Sequence, residues 1–294
     1  MTIADVDTET NQIVNTLYQT VRSVKLGKDL TASSDGYLSQ EIQKKLIDTL
    51  SVMKTDTAEF ASKQWFGIGT SVFRKAKNGL DLLGRIQKEL DLTILLVPQI
   101  EEGEIGFFTA VAASKMNAED VNAWDSGSAS FQISTLTEGH IEMFGAEFAY
   151  DSTLEALFSL REQLFSQNLS PNFLTIEEAT KLAEMTSKRL PLAPNWITDS
   201  HKKMIAIGEN TSIFFLASVV AGQTTYTKNQ VWEGILSLCD SGDECPCSFP
   251  EPGRAVVALV LLYSVMDHCG IDSVSYFLTN GGCEGILTMP RYWQ

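Results

Sequence analysis

The chain has 294 residues, 44% hydrophobic and 20% charged, the proportions of a folded globular protein with room for two modest domains. Its net charge of −15 argues against nucleic acid as a partner, because phosphate backbones are gripped by clustered Lys and Arg, but leaves open a small phosphorylated ligand held by amides, a local Arg and Mg²⁺. With no apolar run of about 18 residues, no signal-peptide pattern at the N-terminus and an odd set of five cysteines, the expectation is a cytoplasmic chain with reduced thiols and no membrane partner.

Residues 1–7 alternate, Ile3 and Val6 against Thr2 and Asp5, and predict a strand. The β-branched stretch 12–25 predicts one or two more strands in a meander. Over 39–60 the residues Ile42, Leu46, Leu50 and Met53 recur at helical spacing, with Ser39 placed as an N-cap. A short strand at 65–69, a helix at 78–90 and a strand at 92–97 form a crossover unit, so this part of the sheet should be parallel. Residues 104–113 predict a helix leading to a polar hinge at 114–122. A second round follows: strand 121–125, a tight turn, and an antiparallel strand 130–136.

Helices are expected at 151–167 and 175–189, the latter opened by a capping box of Thr175 and Glu178. A strand at 204–207, helices at 211–220 and 230–238, and a Cys- and Pro-bearing loop at 240–253 come next. An apolar helix at 255–269, a strand at 274–278 and a short helix after Gly281-Gly282 complete the chain. The fold class expected is α/β, in two lobes, residues 1–114 and 115–294.

Four clusters carry chemistry. In Gly67-Ile68-Gly69-Thr70-Ser71 a strand ends in small and hydroxylated residues with Arg74 close behind; Thr70, Ser71 and Arg74 suit a phosphate, although a plain turn and a surface arginine account for them as well. Asp125-Ser126-Gly127-Ser128-Ala129-Ser130 is an acid followed by small residues. Gly127, Ser128 and Ser130 suit phosphate and Asp125 suits Mg²⁺, or the segment is an ordinary hairpin turn. Gly208, Asn210 and Thr211 lie at a strand-to-helix turn that favours anions and equally favours capping. In Glu101-Glu102-Gly103-Glu104, a carboxylate can orient a water, while the same acids complement a helix dipole. Cys239 with Cys245-Pro246-Cys247 lacks the spacing of a zinc module, and His140, His201 and His268 are scattered.

Taken in order, these pieces resemble the exopolyphosphatase and guanosine pentaphosphate phosphohydrolase family of the actin-like ATPase superfamily. The resemblance rests on Gly-Thr-Ser-x-x-Arg-x-Ala-x-Asn at 69–78, an acidic segment after the next strand, Asp-x-Gly-x-x-Ser at 125–130, the Gly208 turn, and Gly-Gly-x-x-Gly at 281–285; residues 24–30 and 36–39 extend it nearly end to end. It implies two actin-like ATPase (ribonuclease H-like) domains with a phosphate-binding cleft between them, and Mg-assisted hydrolysis of inorganic polyphosphate or guanosine pentaphosphate. By the same resemblance Asp125 matches the metal-side aspartate, Gly127 and Ser130 the phosphate hairpin, and Arg74 the arginine beside the site. The short form of the family also implies a possible homodimer.

The chain departs from the family pattern in several places. Members open with a strand and an Asp-x-Gly-Ser-x-Ser hairpin, whereas residues 1–4 here match that hairpin's return strand. The expectation is that the natural protein starts upstream and that a central strand of the first sheet is missing. In ungapped register the family's catalytic glutamate falls on Gly103, its hairpin Gly-Gly on Ser128-Ala129 and a further acid on Gln132; the terminal motif lacks its arginine and carries Cys283. The leading expectation is a phosphoanhydride hydrolase in which Glu102 or Glu104 orients the water. The alternatives are a catalytically impaired relative that binds a phosphorylated ligand as a sensor or regulatory protein, and a structural or partner-binding role.

Overall fold

The computed structural model describes residues 1–127, 130–146, 148–164, 170–198, 201–239, 254–279 and 281–293. Contacts divide the chain into two compact units, 1–105 with 282–294, and 106–281.

The first unit opens with an antiparallel hairpin of β1 (Thr2–Asp7) and β2 (Gln12–Gln19). The expected further strand up to residue 25 does not form. Lys25 takes a left-handed φ of 65° and α1 (Leu26–Ala32) follows, so the β-branched stretch is a hairpin arm and a linker anchored by buried Val24. α2 (Gln40–Asp56) is capped by Ser39, whose side chain accepts from the Ile42 amide. Next come β3 (Phe66–Gly69), α3 (Ser71–Lys75), α4 (Gly79–Leu90) and β4 (Thr93–Leu96). β3 and β4 pair in parallel, as a crossover requires. Leu82, Leu83 and Ile86 of α4 share a core with Leu46 and Ile47 of α2, the apolar stripe that period-3.6 spacing builds. Gly79 permits the tight α3–α4 junction, since a Cβ there would lie 2.1 Å from the Phe73 carbonyl oxygen.

α5 (Gln99–Ser114) begins earlier than the expected residue 104. Pro98 has no N–H to lose, and its carbonyl accepts from the Glu102 amide at 3.0 Å, so the acidic run lies inside the helix start.

In the second unit β5 (Val121–Ser126), β6 (Phe131–Thr137) and β7 (His140–Ala146) form antiparallel neighbours. β7 was not expected. Its turn, Glu138-Gly139, has φ of 49° and 83°, the geometry of a two-residue hairpin loop, without the Asn-Gly or Asp-Gly signature that makes such turns legible. After α6 (Tyr150–Leu160), α7 (Ile176–Arg189) and α8 (Asn195–Thr198), the chain adds β8 (Lys203–Gly208), α9 (Ile213–Ala221), β9 (Thr225–Thr227), α10 (Lys228–Leu238), α11 (Ala255–His268) and β10 (Ser273–Leu278). The sheet order is β7-β6-β5-β8-β10-β9, with β5, β8 and β10 parallel at its centre.

α6 stops at Leu160, short of the expected 167. Glu162 turns left-handed and Arg161 is drawn away to Glu178 and to the carbonyls of Pro171 and Phe173. The Thr175–Glu178 capping box is present. α11 is buried from Ala255 to Met266 except at Tyr263, as befits a helix that is apolar on all sides. α12 (Cys283–Leu287) and a terminal turn at 290–292 belong to the first unit. Among the described residues no helix is long and apolar enough to cross a membrane. The architecture is α/β.

Candidate functional site

In the first unit the site grows from the carboxyl end of β3. The Val97 amide donates to the Gly69 carbonyl at 3.1 Å and carries the parallel ladder past the strand end. Thr70 then caps α3 without using its side chain, and Ser71 is the first helical residue; both are half-buried. Arg74, one turn on, uses a single nitrogen for two bonds. Its Nη1 donates to the Val97 carbonyl at 2.8 Å and to Glu102 Oε2 at 2.9 Å. Nε and Nη2 donate to nothing among the described residues. A fork anchored at one tine and open along its other edge is shaped for a tetrahedral anion.

The Glu102 side chain is only 16% exposed. Burial pushes its carboxyl above the usual range, and the hydrogen bond and charge of Arg74 pull it back without cancelling that effect. The carboxyl is thus ion-paired and still raised, because the water it has lost stabilised the anion more than one arginine does.

Glu104 is placed differently. Arg291 donates Nη1 to Oε1 at 3.1 Å and Nη2 to Oε2 at 2.8 Å, a two-point clamp, and also stands 3.4 Å from Glu101 Oε1. The Tyr292 hydroxyl donates to Glu101. Burial and Glu101 push that hydroxyl to about 12, so it stays a donor at neutral pH. Gly103, buried between the two acids, offers no side chain. The structure therefore places Arg74, one helical turn after Thr70, against Glu102 and ties Glu104 to the C-terminal turn. The sequence reading missed Val97, Arg291 and Tyr292. For Arg291 a signal existed: it is the single Arg or Lys after Arg254 in a strongly acidic chain.

In the second unit Asp125 sits near the carboxyl end of β5, paired with Ile207 of β8 and Gln132 of β6. α5 passes close, a Cβ on Gly106 standing 3.6 Å from the Asp125 Cβ. The Gly127 amide donates to the Ser130 carbonyl at 2.9 Å and closes the hairpin. Buried Gln132 donates from Nε2 to Ser130 Oγ at 3.2 Å, a bond an acid there makes only as acceptor. Ser128 lies outside the described residues.

On the adjacent strand the Gly208 carbonyl accepts from the Thr279 amide and the Tyr276 hydroxyl, both at 3.0 Å. A Cβ on Gly208 would meet Ser212 at 2.8 Å, so this turn needs glycine. α9 starts at Ile213 and not at the expected 211, because Ser212 is its cap and accepts from the Phe215 amide. Asn210 and Thr211 are exposed in the preceding turn.

Among the described residues no three His, Cys, Asp or Glu side chains gather as a metal cage. Mg²⁺ commonly takes one or two carboxylates and keeps its other positions for water and phosphate, so a single carboxylate such as Asp125 is compatible with it. Cys245 and Cys247 lie outside the described residues, and Cys239 is buried. His268 is bonded through Nε2 to the Pro191 carbonyl.

The Ppx/GppA phosphatase family model matches residues 2–226. The chain belongs to the Ppx/GppA phosphatase family. Among solved structures, the Ppx-GppA enzyme of Aquifex aeolicus superposes with a TM-score of 0.73 at 16% identity, covering 98% of this chain and 94% of that one. An exopolyphosphatase from Cytophaga hutchinsonii gives 0.71 at 18% identity, covering 97% and 92%. At such identities the structures establish the Ppx/GppA fold and not the chemistry of this chain. No curated protein sequence matches it.

Proposed function

We propose that this Ppx/GppA protein is a phosphoanhydride hydrolase that releases terminal phosphate from inorganic polyphosphate or guanosine pentaphosphate. The observation that carries the reading is the Arg74–Glu102 pair: a guanidinium with its Nε and Nη2 edge open beside a carboxyl lifted by burial. Arg74 holds the oxygens of the terminal phosphate, and the hydroxyls of Thr70 and Ser71 add donors at the same strand end. Glu102 accepts a hydrogen bond from the attacking water and aligns it with phosphorus. The water oxygen bonds to phosphorus, the bridging P–O bond breaks, the leaving phosphate keeps that electron pair, and the water proton passes to Glu102. Such a transfer is mainly positioning and charge neutralisation. Asp125 would hold Mg²⁺, which when bound neutralises phosphate oxygens; Gly127, Ser130, Asn210 and Thr211 are the proposed phosphate contacts of the second unit. Glu102 is preferred to Glu104 because the Arg291 clamp occupies both Glu104 oxygens.

One observation favours a second reading, in which the protein binds a phosphorylated ligand without turning it over. The residue between the two acids is Gly103, and each flanking carboxylate is ion-paired. Phosphate release from polyphosphate and from guanosine pentaphosphate, with and without Mg²⁺, separates the two. Mg-dependent release supports the hydrolase. A ligand-induced rise in Tm with no release supports the binding protein, and no response to either compound removes both.

A further inference from the structure

We infer that Tyr276 is a positioning residue for anion binding in the second unit, its hydroxyl fixing the turn after Gly208 so that backbone amides face the ligand. The inference rests on the reading of that turn as a phosphate contact and adds the residue that shapes it. Tyr276 is buried on β10, with its ring edge-on to Phe215 of α9 at 6.3 Å. Its hydroxyl donates to the Gly208 carbonyl at 3.0 Å and to the Glu209 carbonyl at 3.2 Å. Each of these carbonyls has a second donor. Gly208 accepts from the Thr279 amide and Glu209 from the Ser212 amide, both at 3.0 Å. A carbonyl oxygen offers two lone pairs, so both oxygens are filled from within the second unit.

Peptide planarity turns these bonds into a direction. In a trans peptide the C=O of one residue and the N–H of the next point opposite ways. With the Gly208 and Glu209 carbonyls turned toward Tyr276, the amides of Glu209 and Asn210 point away from it. Asn210 is exposed, and its amide has no hydrogen-bond partner among the described residues. Rotated the other way, the same two peptides would present carbonyl oxygens to a phosphate and repel it. β8 ends at Gly208 and α9 begins at Ile213, so no regular ladder carries the peptides between them. Burial pushes the Tyr276 hydroxyl up to about 12, against a hydrogen bond from Ser212 and helped by the charge of Glu209, so it stays a donor at neutral pH. Without that hydroxyl each carbonyl keeps one donor, and the ligand has to order the turn itself. Glu102 belongs to the first unit, so the loss falls on affinity and KM and not on kcat.

The test compares the full chain with Tyr276→Phe, which keeps the buried ring, and with Tyr226→Phe. The latter removes another buried hydroxyl of the same sheet, one that has no hydrogen-bond partner among the described residues. Inorganic phosphate is the probe, followed through the backbone amide NMR signals of Glu209 and Asn210. Phosphate binding tests the role whether or not the protein turns its ligand over. In the parent and in Tyr226→Phe, phosphate is expected to move both signals. Tyr276→Phe is expected to bind phosphate on the order of tenfold more weakly, with KM for polyphosphate raised similarly and kcat within about twofold. Parental phosphate affinity in Tyr276→Phe overturns the proposal while leaving the turn as an anion site. An equal loss in Tyr226→Phe overturns it too, by showing a general loosening of the sheet. Signals unmoved by phosphate in the parent would remove both this role and the phosphate reading of the turn.

Discussion

Arg74 and Glu102 restrain one another, and removing either exposes what the pair does. In Arg74→Ala the buried Glu102 carboxyl loses the guanidinium that offsets its desolvation, so its titration moves further up and the acidic limb of kcat should shift to higher pH. Turnover should also drop with the loss of the phosphate fork. Because the folded value of Glu102 lies above the unfolded one, the stability it contributes is present at low pH and lost as pH rises through the folded value. The Arg74→Ala penalty should accordingly grow from about pH 4 to neutrality, reaching about 1–3 kcal/mol; equal Tm losses at both pH values would contradict this. Arg291→Ala frees Glu104 and should leave turnover within about threefold while lowering Tm slightly, since the pair is nearly half exposed on the arginine side. A large rise in rate would show that Glu104 is the working base. The arginine and the acids were legible in the sequence because their types and order carry chemistry. Their partners were not, since Val97 contributes a carbonyl, which no residue code announces, and Arg291 arrives from 187 positions away.

Helices α6 and α7 are joined at one side chain. Arg161 donates to both oxygens of Glu178 and to the carbonyls of Pro171 and Phe173 ahead of α7. Arg161→Ala should destabilise the second unit by about 2 kcal/mol, read as a Tm loss. The Arg161 hydrogen bond is the main cause holding Glu178 below its ordinary range. Its contribution is therefore present above the unfolded value and lost as pH falls through the folded one, and the variant should show a flatter acid limb than the parent. Gly79→Ala forces a Cβ against a backbone oxygen and should cost about 1–3 kcal/mol by overpacking. Elements with strong periodicity or capping, such as α2, α4, α7 and α11, were legible from residue order. β7 and β9 were not: one follows a turn without the Asn-Gly or Asp-Gly signature, and the other is three residues long.

The whole chain carries −15, so long polyanions approach against its field. If the substrate is polyphosphate, kcat/KM should rise as KCl goes from about 20 to about 150 mM, because screening weakens the repulsion; a fall would point to a basic docking track. The α/β class and the family were readable at this scale because the order of motifs spans nearly the whole length. The organisation into units was harder to read, since the last short helix returns to the first unit and sequence distance conceals that. The most direct test is phosphate release by Glu102→Gln with Mg²⁺, measured beside Glu104→Gln and the parent. The account predicts that the Glu102 variant is slower by on the order of 100-fold while its ligand still raises Tm, with Glu104→Gln near parental rate. Parental turnover in Glu102→Gln would contradict it.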